Sequence, residues 1–118
     1  MIFYNRHGQA VVNMNERGQL FSFQGHPLGY IKNDVIFTYQ GQHLGWLHNG
    51  WIRDSNGHAV FYGDHPTGGP IPPIRKIAPI PAIPQLPPIP SLPPLPPLRP
   101  LFSSVWSQYV DTNFFHFR

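Results

Sequence analysis

Seven histidines and five acidic residues are the side chains of this chain that could carry acid–base or metal chemistry. His26 and His58 each follow a recurring glycine directly, and His43 follows another after one further residue. If these repeats were arranged symmetrically, their imidazoles would come together as a metal or anion site. Two equivalent imidazoles are fewer than a metal site usually needs. Solvated histidines in turns are the other interpretation, and we expect neither a metal nor another cofactor.

The sequence lacks the motifs of common enzyme classes. It has no cysteine, and therefore no thiolate nucleophile and no disulfide framework. No HExxH, GxSxG, GxxxxGK[ST] or GxGxxG pattern occurs in it. No two carboxylates are placed so that different surroundings would separate their pKa values. We therefore expect no catalytic residues.

Four turn glycines stand at nearly equal intervals in the first 65 residues. They are Gly8, Gly25, Gly41 and Gly57, separated by 17, 16 and 16 residues. Each ends an x-Gly pair between aromatic and β-branched residues, a pattern that indicates a β-hairpin with a two-residue type I′ turn. In that register Phe21 faces Leu28, Phe37 faces Leu44, and Gly29 and Gly45 lie opposite Leu20 and Ile36. Second turn sequences, such as Asn33-Asp34 and Asn49-Gly50, separate the hairpins.

Equal spacing of the hairpins favours a closed arrangement. A single hairpin is marginally stable in water, and free strand edges promote aggregation. We therefore predict an all-β fold in which four sequential β-hairpins close around a pseudo-four-fold axis, over residues 1–65. An open meander of eight strands is the alternative. Residues 66–70 form a Gly/Pro linker.

After the linker, an apolar residue occupies every third position from 71 to 101. A period of three is typical of polyproline II, and the prolines between enforce it by fixing φ. We predict a polyproline II arm over residues 71–101 with one apolar edge, the stripe. The stripe consists of Ile71, Ile74, Ile77, Ile80, Ile83, Leu86, Ile89, Leu92, Leu95, Leu98 and Leu101.

The length of a straight arm indicates how the stripe is covered. Its 31 residues would span ~95 Å at about 3.1 Å each. A domain of 65 residues has a radius of gyration of only ~11 Å. We therefore expect other copies of the chain to cover the stripe, in a homo-oligomer or filament-like assembly. A plain spacer is one alternative, and a protein partner that binds the PxxPxR segment Pro94–Arg99 is another.

The final segment, residues 102–118, leaves the period of three. Apolar residues between Phe102 and Val110 follow helical spacing, and Asp111-Thr112-Asn113 would end that helix. Such a short helix is unstable alone, so we expect it to dock on the hairpin domain or on a partner. The terminal anchor residues are Trp106, Tyr109, Phe114 and Phe115.

Charge and hydropathy bear on partners and location. Residues 1–69 carry four basic and four acidic residues, so the tail supplies the whole net charge of +3. These scattered cations do not form a phosphate-binding stripe, and we expect no nucleic-acid partner. No apolar run approaches the roughly 18 residues of a membrane span, and the first residues do not resemble a signal peptide. We expect no membrane partner and a cytoplasmic location by default, with signal-independent export left open.

Several segments resemble the bacterial four-fold beta flower family. They are Tyr4-Asn5-Arg6-His7-Gly8, Gln42–Gly57 and Gly68-Gly69-Pro70, and the resemblance covers most of residues 3–70. The family's tails are similar too, with a three-residue repeat and a short end like Trp106-Ser107 and Phe114-Phe115. The resemblance implies the four-hairpin architecture and brings no established activity.

The glycine-rich segments Gly25–Tyr30 and Gly41–Trp46 also resemble cell-wall-binding repeats, in which exposed aromatic rings stack on sugars. The candidate rings are Tyr30, Tyr39, Trp46 and Trp51. Alternatively, these rings fill a core that has few other large residues. The function we expect is a non-catalytic structural protein that self-associates through the stripe. A glycan- or peptide-binding module is the alternative.

Overall fold

The structure, a computed structural model, describes residues 1–116. Phe117 and Arg118, the end of the predicted C-terminal segment, lie outside the described residues. The elements are β1 (Ile2–Tyr4), β2 (Ala10–Met14), β3 (Gln19–Ser22), β4 (Pro27–Lys32), β5 (Val35–Phe37), β6 (His43–His48), β7 (Trp51–Asp54), β8 (Ala59–Tyr62) and a 3₁₀ helix (Thr112–Phe115). Within this range no helix is long and apolar enough to cross a membrane.

The eight strands form one closed antiparallel barrel. Each strand pairs with the next along the chain, and β8 returns to β1 through the pairing of Tyr62 with Tyr4. The four hairpins centred on Gly8, Gly25, Gly41 and Gly57 are therefore present, and closure leaves no free edge. The predicted all-β fold of four sequential hairpins is confirmed.

Inward-facing apolar side chains from all four hairpins fill the barrel. The fully buried ones include Phe3, Leu20, Ile36 and Ile52, each five residues before a turn glycine. Gly29 pairs with Leu20 and Gly45 with Ile36, as predicted. A β-carbon at either glycine would come under 3.0 Å from the backbone of the next strand. Glycine there allows the neighbouring strands to approach closely.

The prediction of type I′ turns at the x-Gly pairs is wrong. Among the loop residues only the glycines have positive φ, and a β-bulge shifts the register, so that Phe21 pairs with Pro27 and Phe37 with His43. The cause is a polar residue three positions before each glycine, whose side chain accepts the backbone N–H at the far end of a longer loop. These residues are Asn5, Ser22, Thr38 and Asp54. Positive φ at both central residues occurs instead at Asn33-Asp34 and Asn49-Gly50.

The proline-rich segment 71–101 contains neither helix nor strand, and it is not a straight rod. The described chain measures only 36 × 36 × 25 Å, with a radius of gyration of 13.3 Å. An arm spanning ~95 Å does not fit within these dimensions. The segment bends around one end of the barrel because it is bonded to each hairpin in turn. Its polyproline II conformation stays a prediction.

The predicted helix between Phe102 and Val110 is wrong. Ala59 donates its backbone N–H to the Val105 carbonyl at 2.9 Å, and Ser107 donates to the Ala59 carbonyl at 2.7 Å. Backbone groups bonded to a strand are not available for a helix. Asp111 caps the 3₁₀ helix instead of ending a helix, by accepting the N–H of Asn113 at 2.8 Å.

Candidate assembly surface

The four turn glycines form a rim at one end of the barrel, and the segment 71–101 crosses this rim as a collar. The carbonyls of Ile74, Ile83, Leu92 and Leu101, nine residues apart, lie over Gly8, Gly25, Gly41 and Gly57. A β-carbon on Gly8, Gly25 or Gly57 would come under 3.0 Å from the collar carbonyl, whereas one on Gly41 would lie 3.4 Å from it. The rim glycines thus serve two purposes: they adopt positive φ and leave room for the collar.

Backbone hydrogen bonds repeat along the collar at the same interval of nine residues. Amides of Lys76, Gln85 and Ser103 donate to the carbonyls of Gly8, Gly25 and Gly57, and amides of Ala82 and Ser91 donate to those of Phe23 and Tyr39, at 2.8–3.2 Å. The remaining equivalent positions are Pro73, Pro94 and Pro100, which have no N–H. Several interruptions of the proline run therefore occur where an amide hydrogen is used.

The stripe faces away from the barrel around the whole collar. A step of nine residues is three stripe periods, so each hairpin meets the collar in the same orientation. All eleven stripe residues, from Ile71 to Leu101, are 91–100% exposed in the described chain. Prolines on the other side of the collar, such as Pro73, Pro87 and Pro93, are half-buried. The collar therefore presents a continuous apolar surface to its surroundings.

Arg53 connects the chain just before the collar with the chain just after it. Its side chain, 1% exposed, donates hydrogen bonds to the carbonyls of Gly57 and Ser103 and, at 3.0 Å, to that of Gly68 in the linker. Its guanidinium also lies over the rings of Trp51 and Phe102. Burial lowers the pKa of Arg53, and the nearby charge of Asp54 opposes that shift. The protein thus closes the collar with a buried cation.

Sequence reasoning missed this role of Arg53. The signal was available, because the equivalent positions of the other hairpins hold Tyr4, Phe21 and Phe37. A lone cation among aromatic equivalents indicates a special contact.

The two collar arginines turn towards the barrel. Arg75 lies 4.8 Å from the ring centroid of Tyr4, donates to the Gly63 carbonyl at 2.5 Å, and pairs with Asp64 at 3.3 Å. Arg99 stacks on Phe102 at 4.3 Å. The cation of the PxxPxR segment is therefore in contact with the protein itself, while its leucines stay exposed.

The terminal anchor residues lie against the barrel. Phe114 and Phe115 are 0% and 5% exposed and pack on Phe61, with ring centroids 6.0 and 6.4 Å away. We call this pair the plug, because it belongs to the same core cluster as the inward-facing strand residues. Tyr109 packs on Phe114, and Trp106 packs on Trp51 at 5.5 Å.

The candidate sugar-stacking rings lie mostly inside the structure. Tyr39, Trp46 and Trp51 are 7%, 5% and 1% exposed, so none of these three presents the exposed ring face that stacking on a sugar requires. Tyr39 also donates a hydrogen bond to the Gly29 carbonyl at 3.2 Å. Tyr30 is half-buried and packs against Tyr39 at 5.5 Å. These rings fill space between the hairpins, as the alternative interpretation has it.

The repeated histidines are not gathered at the barrel axis, which apolar side chains occupy. His26 is exposed, and His58 and His43 are half-buried. His43 packs edge-on against Trp46 at 4.6 Å, and burial lowers its pKa, with a hydrogen bond to the Gly45 backbone opposing. Residues 1–116 contain no group of three histidine or acidic residues that could hold a metal ion.

Comparison with known proteins agrees with this architecture. A family model described as 4-fold beta flower protein matches residues 1–115. No curated protein and no solved structure matches the chain. The matched range takes in the barrel, the collar and the plug together. The chain therefore belongs to the 4-fold beta flower protein family.

Proposed function

We propose that this protein is a non-catalytic structural protein whose copies associate through the stripe. The observation that supports the proposal is the exposure of all eleven stripe residues, 91–100% each, on one side of a fixed collar. A monomeric protein rarely exposes so continuous a row of aliphatic side chains. Association is favourable because it removes these side chains from water.

The area of the stripe is sufficient for a protein interface. Burying one such side chain contributes about 1.5–3 kcal/mol, which at ~25 cal/mol per Å² corresponds to roughly 60–120 Å². The eleven stripe residues therefore offer on the order of 700–1,300 Å². A stable interface of standard size buries about 800 Å² on each partner.

A second copy of the chain is the occupant that these features favour. The stripe consists only of isoleucine and leucine, so two stripes complement each other as an isologous contact requires. Anionic membrane surfaces are usually bound through lysines and arginines beside an apolar face. Arg75 and Arg99 instead stack on rings of the protein, which leaves Lys76 as the other cation of the collar.

Sedimentation equilibrium of the full chain at increasing concentration tests the proposal. We expect a mass above the 13.5 kDa of one chain. The quadruple substitution Ile80→Gln, Ile83→Gln, Leu86→Gln and Ile89→Gln should return the mass to that of a monomer. The fold should persist, since these side chains are exposed. Far-UV circular dichroism checks it.

The matched control exchanges the same four residues among aliphatic types: Ile80→Leu, Ile83→Leu, Leu86→Ile and Ile89→Leu. This variant should associate like the wild type. A wild-type chain that is monomeric at every concentration contradicts the proposal, as does one that remains monomeric alone but floats with phosphatidylserine-containing vesicles. Point substitutions are preferable to a truncation at Gly69, because truncation would also remove the plug from the core.

A further inference from the structure

The rim holds an extended, proline-rich segment of its own chain. It holds the collar through backbone carbonyls, such as those of Gly8, Phe23 and Tyr39, and through glycines that leave room for the collar backbone. The stripe side chains take no part, because they point outward. A second copy of this protein contains the same segment, with its amides at the same intervals.

The connection between barrel and collar has the features of an exchange hinge. Only residues 63–70 lie between β8 and the collar. His65 adopts a φ of 50°, a left-handed conformation that is unfavourable for a residue other than glycine. Gly68 is exposed, and a β-carbon there would meet nothing within 4 Å. Its carbonyl accepts from Arg53 and the Thr67 amide donates to Asn49, so the linker stays with its own barrel up to Gly68 and the chains would part after it. Short connections under strain favour the exchange of segments between copies.

The plug would accompany the collar in such an exchange. Phe114 and Phe115 complete a core whose other members come from the strands. If residues 70–116 moved to a neighbouring barrel, each barrel would regain the same collar bonds and the same core contacts. Exchanged and unexchanged forms then differ mainly in the hinge, which is the condition for domain swapping.

We propose that two copies exchange residues 70–116, so that the collar of each lies on the rim of the other and its plug fills the other's barrel. This inference deepens the proposed function, since it rests on association between copies and states which segments pass between them.

The absence of cysteine from the sequence allows a clean cross-linking test. A β-carbon on Gly25 would lie 3.6 Å from that of Ala82, within the disulfide range of about 3.5–4.5 Å. A full-length Gly25→Cys chain is mixed with a full-length, size-tagged Ala82→Cys chain, incubated at the concentration of assembly, and oxidised mildly. Exchange should yield a mixed disulfide of the two chains as the main covalent product on a non-reducing gel.

The control mixture pairs Gly25→Cys with a size-tagged Arg17→Cys chain, whose cysteine would lie in an exposed turn away from the collar. A β-carbon on Gly25 would come under 3.0 Å from the Ile83 carbonyl and would press on the collar. The pair Gly41→Cys and Ser91→Cys avoids this contact, because Gly41 leaves 3.4 Å to the Leu92 carbonyl, and it provides a second test if the first variant fails to fold. Mixed disulfides no more abundant than in the control overturn the exchange.

The same experiment separates the exchange from the proposed function. Chains that associate without a mixed disulfide overturn the exchange and leave stripe contact intact as the basis of assembly. Conversely, mixed disulfides that form equally well when the stripe carries the four glutamine substitutions support the exchange and contradict assembly through the stripe.

Discussion

The carboxylate of Asp54 accepts a hydrogen bond of 2.6 Å from the hydroxyl of Ser107, and both side chains are buried. The other carboxylate oxygen accepts the amides of Asn56 and His58, which shapes the loop of the fourth hairpin. One side chain thus fixes a rim loop and holds the chain that leads from the collar to the plug.

Replacing Ser107 should destabilise the fold through loss of this hydrogen bond. Ser107→Ala leaves a buried carboxylate oxygen without its donor, so we expect the free energy of unfolding to fall by about 1–3 kcal/mol. Urea denaturation measures the change. The exposed Ser104 gives the matched control, and Ser104→Ala should change stability by less than about 0.5 kcal/mol. Equal effects of the two substitutions would contradict a special role for Ser107.

The rim glycines should differ in their tolerance of alanine. All four have positive φ, which costs a residue with a β-carbon about 1–2 kcal/mol. Gly8→Ala also places its β-carbon under 3.0 Å from the Ile74 carbonyl, whereas Gly41→Ala leaves 3.4 Å to that of Leu92. We therefore expect Gly8→Ala to lower the melting temperature clearly more than Gly41→Ala does. Equal shifts in thermal unfolding would mean that the collar does not press on the rim.

Two alanines of the collar form a matched pair for proline substitution. Ala82 donates its amide to Phe23 at 2.9 Å, so Ala82→Pro should cost about 0.5–1.5 kcal/mol of unfolding free energy. Ala78 corresponds, in steps of nine, to Pro87 and Pro96. Ala78→Pro should therefore be neutral or stabilise by up to about 1 kcal/mol, by restricting the unfolded chain. The collar bonds would be unimportant if both variants had the same denaturation midpoint.

Stability should depend on pH through His43. Burial lowers the pKa of His43 below its ordinary value. As pH falls below about 6.5, the imidazole is therefore protonated in the unfolded chain before it is protonated in the folded chain. The free energy of unfolding should therefore decrease from neutral to mildly acidic pH. Its ring Nε2 is buried without a hydrogen-bond partner, so His43→Phe should fold and should show a flatter dependence. If the free energy of unfolding depended on pH equally in the wild type and the variant, a group other than His43 would be responsible.

The barrel was predictable from the sequence because its signals are local and repeated. Equal glycine spacing and flanking aromatic residues indicated four hairpins, and Gly29 and Gly45 took their predicted partners. The prediction of the strand register was wrong because the polar residue three positions before each glycine lengthens the loop. Asn5 and Asp54 stood in the sequence at the same repeat position, so this signal was available.

The path of the collar was harder to predict, since nothing within a run of prolines specifies curvature. The path is specified by a match between two spacings: nine residues in the collar and 16 or 17 residues between the turn glycines. Lys76 and Gln85 interrupt the run nine residues apart, as do Ala82 and Ser91, and each pair serves two successive hairpins. At residues 102–110 the helical spacing of apolar residues predicted a helix wrongly, because backbone hydrogen bonds to Ala59 determine the conformation there.

The nine-residue step relates collar length to the circumference of the barrel. A relative with a fifth hairpin would need nine further collar residues to reach its last glycine. An insertion of three residues would preserve the outward phase of the leucines and isoleucines, yet it would displace every later carbonyl from its glycine. Length changes in the two parts of this protein are therefore coupled, and compatible variants should differ by whole units of one hairpin and one nonapeptide.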